Sequence, residues 1–161
     1  MTAHTPASDA ILEGLGGQRG LVEHLGITFS EASGAKVVAQ MPVEARVHQP
    51  FGILHGGASV ALAESVASTG AYLNVRDRGM LAVGLEINAN HLRSVVSGTV
   101  TATGTPIFQG RTTEVWSIEI VDGRGKMVCV SRCTLAIIPM PDRTESGPEQ
   151  GRPSSEGQPA I

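Results

Sequence analysis

Aromatic side chains are scarce in this chain: one Trp, one Tyr and three Phe among 161 residues, or 3%. So few rings exclude the stacked platforms on which proteins lay single-stranded nucleic acid. A formal net charge of −3 gives no basic footprint for nucleic acid or an anionic membrane surface. Cysteine occurs only at Cys129 and Cys133. On one strand these two would share a face roughly 13 Å apart, beyond the reach of a disulfide. A reduced, cytoplasmic setting is therefore expected. No apolar run is long and clean enough for a membrane span, since Glu64, several Ser and Gly70 interrupt the best candidate. The opening Met-Thr-Ala-His-Thr-Pro has neither the basic nor the apolar region of a signal peptide. C-x-x-C, G-x-G-x-x-G, P-loop and G-x-S-x-G patterns are all missing, and His4, His24 and His48 lack ligand spacing with a third partner. No metal and no cofactor are expected.

What is present fits a single globular domain, with 41% hydrophobic and 17% charged residues. Its organising stretch runs from His48 to Val75. The turn-like Gln49-Pro50-Phe51-Gly52 leads into His55-Gly56-Gly57, and mostly small apolar residues follow. Between Gly56 and Val75 the only carboxylate is Glu64, and no Lys or Arg occurs before Arg76. A helix apolar on nearly every side is buried. Glu64 has Val60, Ala61, Ala67 and Ser68 as its helical neighbours, none of them cationic. An unpaired carboxylate among apolar residues is costly, and such groups cluster at functional sites.

Around that helix the pattern predicts residues 1–19 as a partly disordered N-terminal segment with a short helix from Asp9 to Leu15. A second short helix spans Gly20 to Leu25, with Leu21, Val22 and Leu25 as its apolar face. A strand pair follows, Ile27 to Ser30 and Ala35 to Met41, joined through Ser33-Gly34. After the helix come four strand-like segments. Met80 to Leu92 alternates Leu81, Val83, Leu85, Ile87 and Ala89 against Glu86, Asn88 and Asn90. Val95 to Phe108, Thr112 to Val121 and Lys126 to Ile138 complete the set, with Asp122-Gly123-Arg124-Gly125 as a hairpin turn. These four are expected as a meander, stopped by Pro139. Residues 140–161 read as a disordered tail rich in Pro, Gly, Ser and Glu. The expected class is α+β: an antiparallel sheet of about six strands wrapped around one long helix, in a domain spanning residues 20–139.

Residues 48–65, His-Gln-Pro-Phe-Gly-Ile-Leu-His-Gly-Gly-Ala-Ser-Val-Ala-Leu-Ala-Glu-Ser, resemble the hotdog-fold acyl-CoA thioesterases of the aromatic-acyl branch. That branch includes the 1,4-dihydroxy-2-naphthoyl-CoA, enterobactin-pathway proofreading and 4-hydroxybenzoyl-CoA thioesterases. Val-Gly-Leu-Glu-Ile-Asn-Ala-Asn-His, residues 83–91, is a second match, and Val115 to Ile120 with its Asp122-Gly123 turn is a third. The resemblance covers about Gly20 to Pro139 and implies the hotdog fold.

It further implies that Glu64 is the catalytic carboxylate, as nucleophile or general base, and that the Gly56 amide polarises the thioester carbonyl. Gln49 and His55 match residues that orient that carbonyl, and Ser68 a hydroxyl that positions water. His91, Arg93, Arg111, Thr112 and Gly84 fall where the family contacts substrate. The Arg residues read equally well as ordinary solvated cations, and this chain has Arg93-Ser94 where relatives have Arg-Pro. The implied partners are an acyl-CoA, preferably aryl-acyl, and further copies of the chain. In such a homodimer or homotetramer, Gln49 and His55 would face Glu64 of another subunit. Coenzyme A is part of substrate and product. A non-catalytic acyl-CoA-binding protein and a hotdog hydratase or dehydratase are the alternatives. The residues also support the chemistry directly: glycine amides at a helix N-terminus favour developing negative charge, and a carboxylate can attack a thioester or activate water.

Overall fold

The computed structural model describes residues 6–17 and 20–141. The disorder expected for residues 1–5 and 142–161 lies outside them. Two short helices, α1 (Pro6–Gly14) and α2 (Gly20–Leu25), precede β1 (Thr28–Ala32) and β2 (Val37–Val43). The long helix α3 spans Gly56–Val75. It is followed by β3 (Met80–His91), β4 (Gly98–Gln109), β5 (Thr113–Asp122) and β6 (Met127–Pro139). All six strands form one antiparallel sheet in the order β1-β2-β4-β5-β6-β3. The expected four-stranded meander is corrected to three strands. β3 does not pair with β4 but crosses to the far edge beside β6. β6 includes Pro139, which pairs with Met80, so the proline ends the strand from within.

The helix lies on the inner sheet face. Leu62, Val66, Ala67 and Ala71 are buried there against Trp116, Ile118, Ile120 and Leu135. Small residues let the layers close. A Cβ on Gly70 would overlap the Trp116 ring, so the indole occupies the space that any other residue would fill. Trp116 donates its indole N–H to Glu114 Oε2 at 2.9 Å, and Asn74 of α3 donates to the same oxygen at 3.1 Å. Glu114 is thus a buried carboxylate satisfied by neutral donors, as polar groups in a core require.

The sequence alternation of β3 is broken by a bulge. Gly84 opposes Leu135 and Glu86 opposes Thr134, leaving Leu85 as the extra residue. Ala82 packs against the core before the bulge, Ile87 and Ala89 after it. Val83 and Leu85, expected on the same face as Ile87, are 44% and 65% exposed. Cys129 and Cys133 are both buried in β6 and both free thiols.

Candidate active site

The start of α3 is held from several sides. Gly52 N–H donates to Gln49 O at 2.9 Å, closing the expected turn, and Gln49 N–H donates to Ile53 O at 2.9 Å. His55 N–H reaches Val47 O and Leu54 N–H reaches Val95 O, both at 2.8 Å, tying the helix entry to two neighbouring segments. His55 is the N-cap. Its Nδ1 accepts the Gly57 amide at 2.8 Å, and its carbonyl accepts those of Ala58 and Ser59. Among the described residues the Gly56 amide alone of this group has no hydrogen-bond acceptor. It is a free donor at the positive end of a helix 20 residues long.

That amide borders a cavity of about 360 Å³ lined by Gln49, Gly56, Ser59, His91 and Arg93. His91, at the end of β3, presses its ring on the helix start, so that a Cβ on Gly56 would stand 2.9 Å from Nε2. Arg93 also lines an outer cavity of about 530 Å³ shared with Thr99, Asp122 and Arg124. Asp122 accepts the Lys126 and Arg124 amides at 2.9 Å each. The Lys126 amide foremost holds its carboxyl below the usual range; burial opposes it, and the Arg124 amide and the Arg93 and Arg124 charges add to the lowering. Arg124 was not foreseen as a site residue, because its Asp-Gly-Arg-Gly setting reads only as a turn.

Glu64 lies elsewhere. It lines a separate cavity of about 490 Å³ with Ser68, walled by Leu12, Leu15, Leu21, Val22 and Phe29. It is half-buried, and among the described residues it makes no hydrogen bond or ion pair. Ser65 donates to Ala61 O at 2.7 Å, the back-bond often made by helical serines. Ser68 makes no such bond among the described residues and borders the cavity. The walls from α1 and the turn after it were not foreseen; Leu12 and Leu15, three apart, were the only signal.

A single chain therefore brings the expected residues together in two groups. Gln49, Gly56, His91 and Arg93 share one cavity, Glu64 and Ser68 another. Gly56 and Glu64 are eight residues apart on α3, about 12 Å of axial rise. His55 joins neither group and lines a groove with His48, Leu21 and Leu25. Arg111 and Thr112 sit exposed in the turn between β4 and β5. Gly84 lies on β3 against the Glu64 carboxylate. Among the described residues no three His, Cys, Asp or Glu side chains gather as a metal site would require, and no helix is long and apolar enough to cross a membrane.

A long helix wrapped by a six-stranded antiparallel sheet is the architecture of the hotdog fold. Residues 51–129 match the thioesterase superfamily. The chain is 49% identical over 118 residues to a 1,4-dihydroxy-2-naphthoyl-CoA hydrolase of Listeria monocytogenes, covering 73% of this chain and 95% of the relative. It is 47% identical over 118 residues to the proofreading thioesterase EntH of Cronobacter sakazakii, covering 73% and 85%. A crystal structure of a thioesterase from Haemophilus influenzae superposes with a TM-score of 0.77 at 45% identity, covering 89% of this chain and 99% of that one. This chain belongs to the thioesterase superfamily and is a thioester hydrolase of the hotdog fold.

Proposed function

We propose that the chain hydrolyses acyl-CoA thioesters, with a preference for aryl-acyl groups, to the free acid and coenzyme A. The observation that carries this is the pairing of a free helix-terminal amide at Gly56 with an unpaired carboxylate at Glu64, each facing its own cavity. The Gly56 N–H receives the oxyanion as the carbonyl becomes tetrahedral, where a preorganised donor contributes most. Glu64 attacks the carbonyl or takes a proton from water, and Ser68 holds that water. Gln49 orients the carbonyl, while His55 fixes the helix start by holding the Gly57 amide.

The thiol carrier runs past His91 and Arg93 toward Arg124, whose cations suit its phosphates. The acyl group enters the apolar cavity beside Glu64. Buried Leu12 and Phe29 close its inner wall and exposed Leu21 forms its rim, which suits a compact ring better than a long chain. The relative named as a 1,4-dihydroxy-2-naphthoyl-CoA hydrolase supports the same preference.

Because the two groups of residues occupy different cavities, the complete site requires a second copy. Edge strand β3 is twelve residues long and carries exposed Val83 and Leu85, and it supplies the pairing surface. We place the enzyme in the cytoplasm as a homodimer or homotetramer, with no metal or redox cofactor.

The test is thiol release from benzoyl, hydroxybenzoyl, dihydroxynaphthoyl, phenylacetyl, short-chain and long-chain CoA esters by wild type and Glu64→Ala. Turnover of aryl esters that falls about a thousandfold in the variant is expected. A wild type that binds CoA esters but cleaves none of them would leave a binding protein instead.

A further inference from the structure

Gly84 interrupts a strand, where glycine weakens both backbone and packing unless something must come close. It is absent from the positive-φ glycines, so its backbone would accept any residue. Its reason lies in space. A Cβ built on Gly84 would stand 2.6 Å from Glu64 Oε1 and 3.7 Å from its Cδ, and no other atom outside its chain neighbours comes within 4 Å. The residue shares the inward face of β3 with Ala82, immediately before the bulge at Leu85. On the adjoining strand, Cys133 registers the same carboxylate: burial pushes its thiol up to about 12, with Glu64 and Glu86 adding to the rise. The Glu64 carboxylate is therefore laid against the β3 backbone, and the missing side chain at 84 is what admits it.

We propose that Gly84 is a positioning residue for Glu64: its bare backbone is the seat that fixes where the carboxylate sits. This goes beyond the substrate contact implied by family resemblance, and it rests on the catalytic reading of Glu64. An added methyl meets only the far end of one flexible side chain. The chain can therefore accept Ala at 84 by swinging the carboxylate away, so the effect falls on chemistry before it falls on stability.

A double-mutant cycle of Gly84→Ala and Glu64→Asp tests this, with kcat and KM measured on an aryl-CoA ester together with melting temperature and assembly mass. The shorter Asp withdraws its carboxylate from the seat and leaves room for the methyl. Gly84→Ala is expected to lower kcat about a hundredfold, as misplacement by an ångström does. Its KM, melting and mass should stay near wild type. In the Glu64→Asp background the same substitution should cost less than about twofold, because the two changes act on one contact. Costs that multiply would overturn the proposal, as would Gly84→Ala retaining wild-type kcat. Loss of folding or assembly in both backgrounds would also overturn it, since the glycine would then serve the strand. Recovery of folding by Glu64→Asp would support it. If Glu64→Asp and Glu64→Ala both keep wild-type kcat, the catalytic reading itself falls and this proposal with it.

Discussion

Cys133 lies deep in β6 with carboxylates for neighbours, and that setting decides its chemistry. Burial foremost, then the Glu64 and Glu86 charges, lift its thiol from the ordinary 9.0 to about 12, and burial raises Cys129 as well. Thiolate is the reactive form. Ellman's reagent at pH 8 should therefore leave both thiols untouched in the native protein and titrate both after unfolding. Prompt reaction of the folded chain would contradict this burial. The linkage has a definite sign: the folded pKa is raised, so the contribution to stability is whole below about pH 9 and is lost as pH climbs toward about 12. Denaturation midpoints should fall across that window, and Cys133→Ala should flatten the fall. None of this was visible in sequence, where two cysteines four apart excluded a mutual bond but said nothing of their surroundings.

At the scale of elements, α3 was readable because it is apolar nearly all round, which only a buried helix can be. Its packing against the sheet depends on Gly70, whose hydrogen faces the Trp116 ring. Gly70→Ala should destabilise the fold by about 1–3 kcal/mol, the usual cost of overpacking. Glu114→Ala should cost a similar ~1–3 kcal/mol, chiefly by leaving the buried Trp116 indole N–H without an acceptor, while Asn74 keeps its bond to Gly34 O. Thermal unfolding measures both. β3 was the element sequence misjudged. Its alternation is real in composition, but the bulge at Leu85 changes which parity faces the core, and only the pairing with β6 reveals the change. The place of β3 at the sheet edge was equally hidden, because strand order depends on partners distant in the chain. Gln49, Gly56 and Glu64 were visible through their motif, whereas the cavity walls from α1 and the turn after it carry no motif, only two leucines at helical spacing.

For the whole molecule, the division of residues between two cavities makes a quantitative demand on a shared site. Gln49→Ala and Glu64→Ala proteins, each inactive alone, should recover about a quarter of wild-type turnover when subunits are exchanged by mixing at equal concentration, since half the dimers then hold one intact site. Absence of recovery despite proven exchange would place the whole reaction within one chain. The sheet order also bears on how the protein is made. Among the described residues β3 (Met80–His91) pairs within its own chain only with β6 (Met127–Pro139), the last of these strands to be synthesised. While β4 and β5 emerge from the ribosome, β3 waits with both edges open, carrying Val83 and Leu85 in water. An open, apolar strand of this kind is a site of misassembly. Co-translational folding cannot close the sheet before β6 is made, and a ribosome stalled before residue 127 holds β3 without its partner strand.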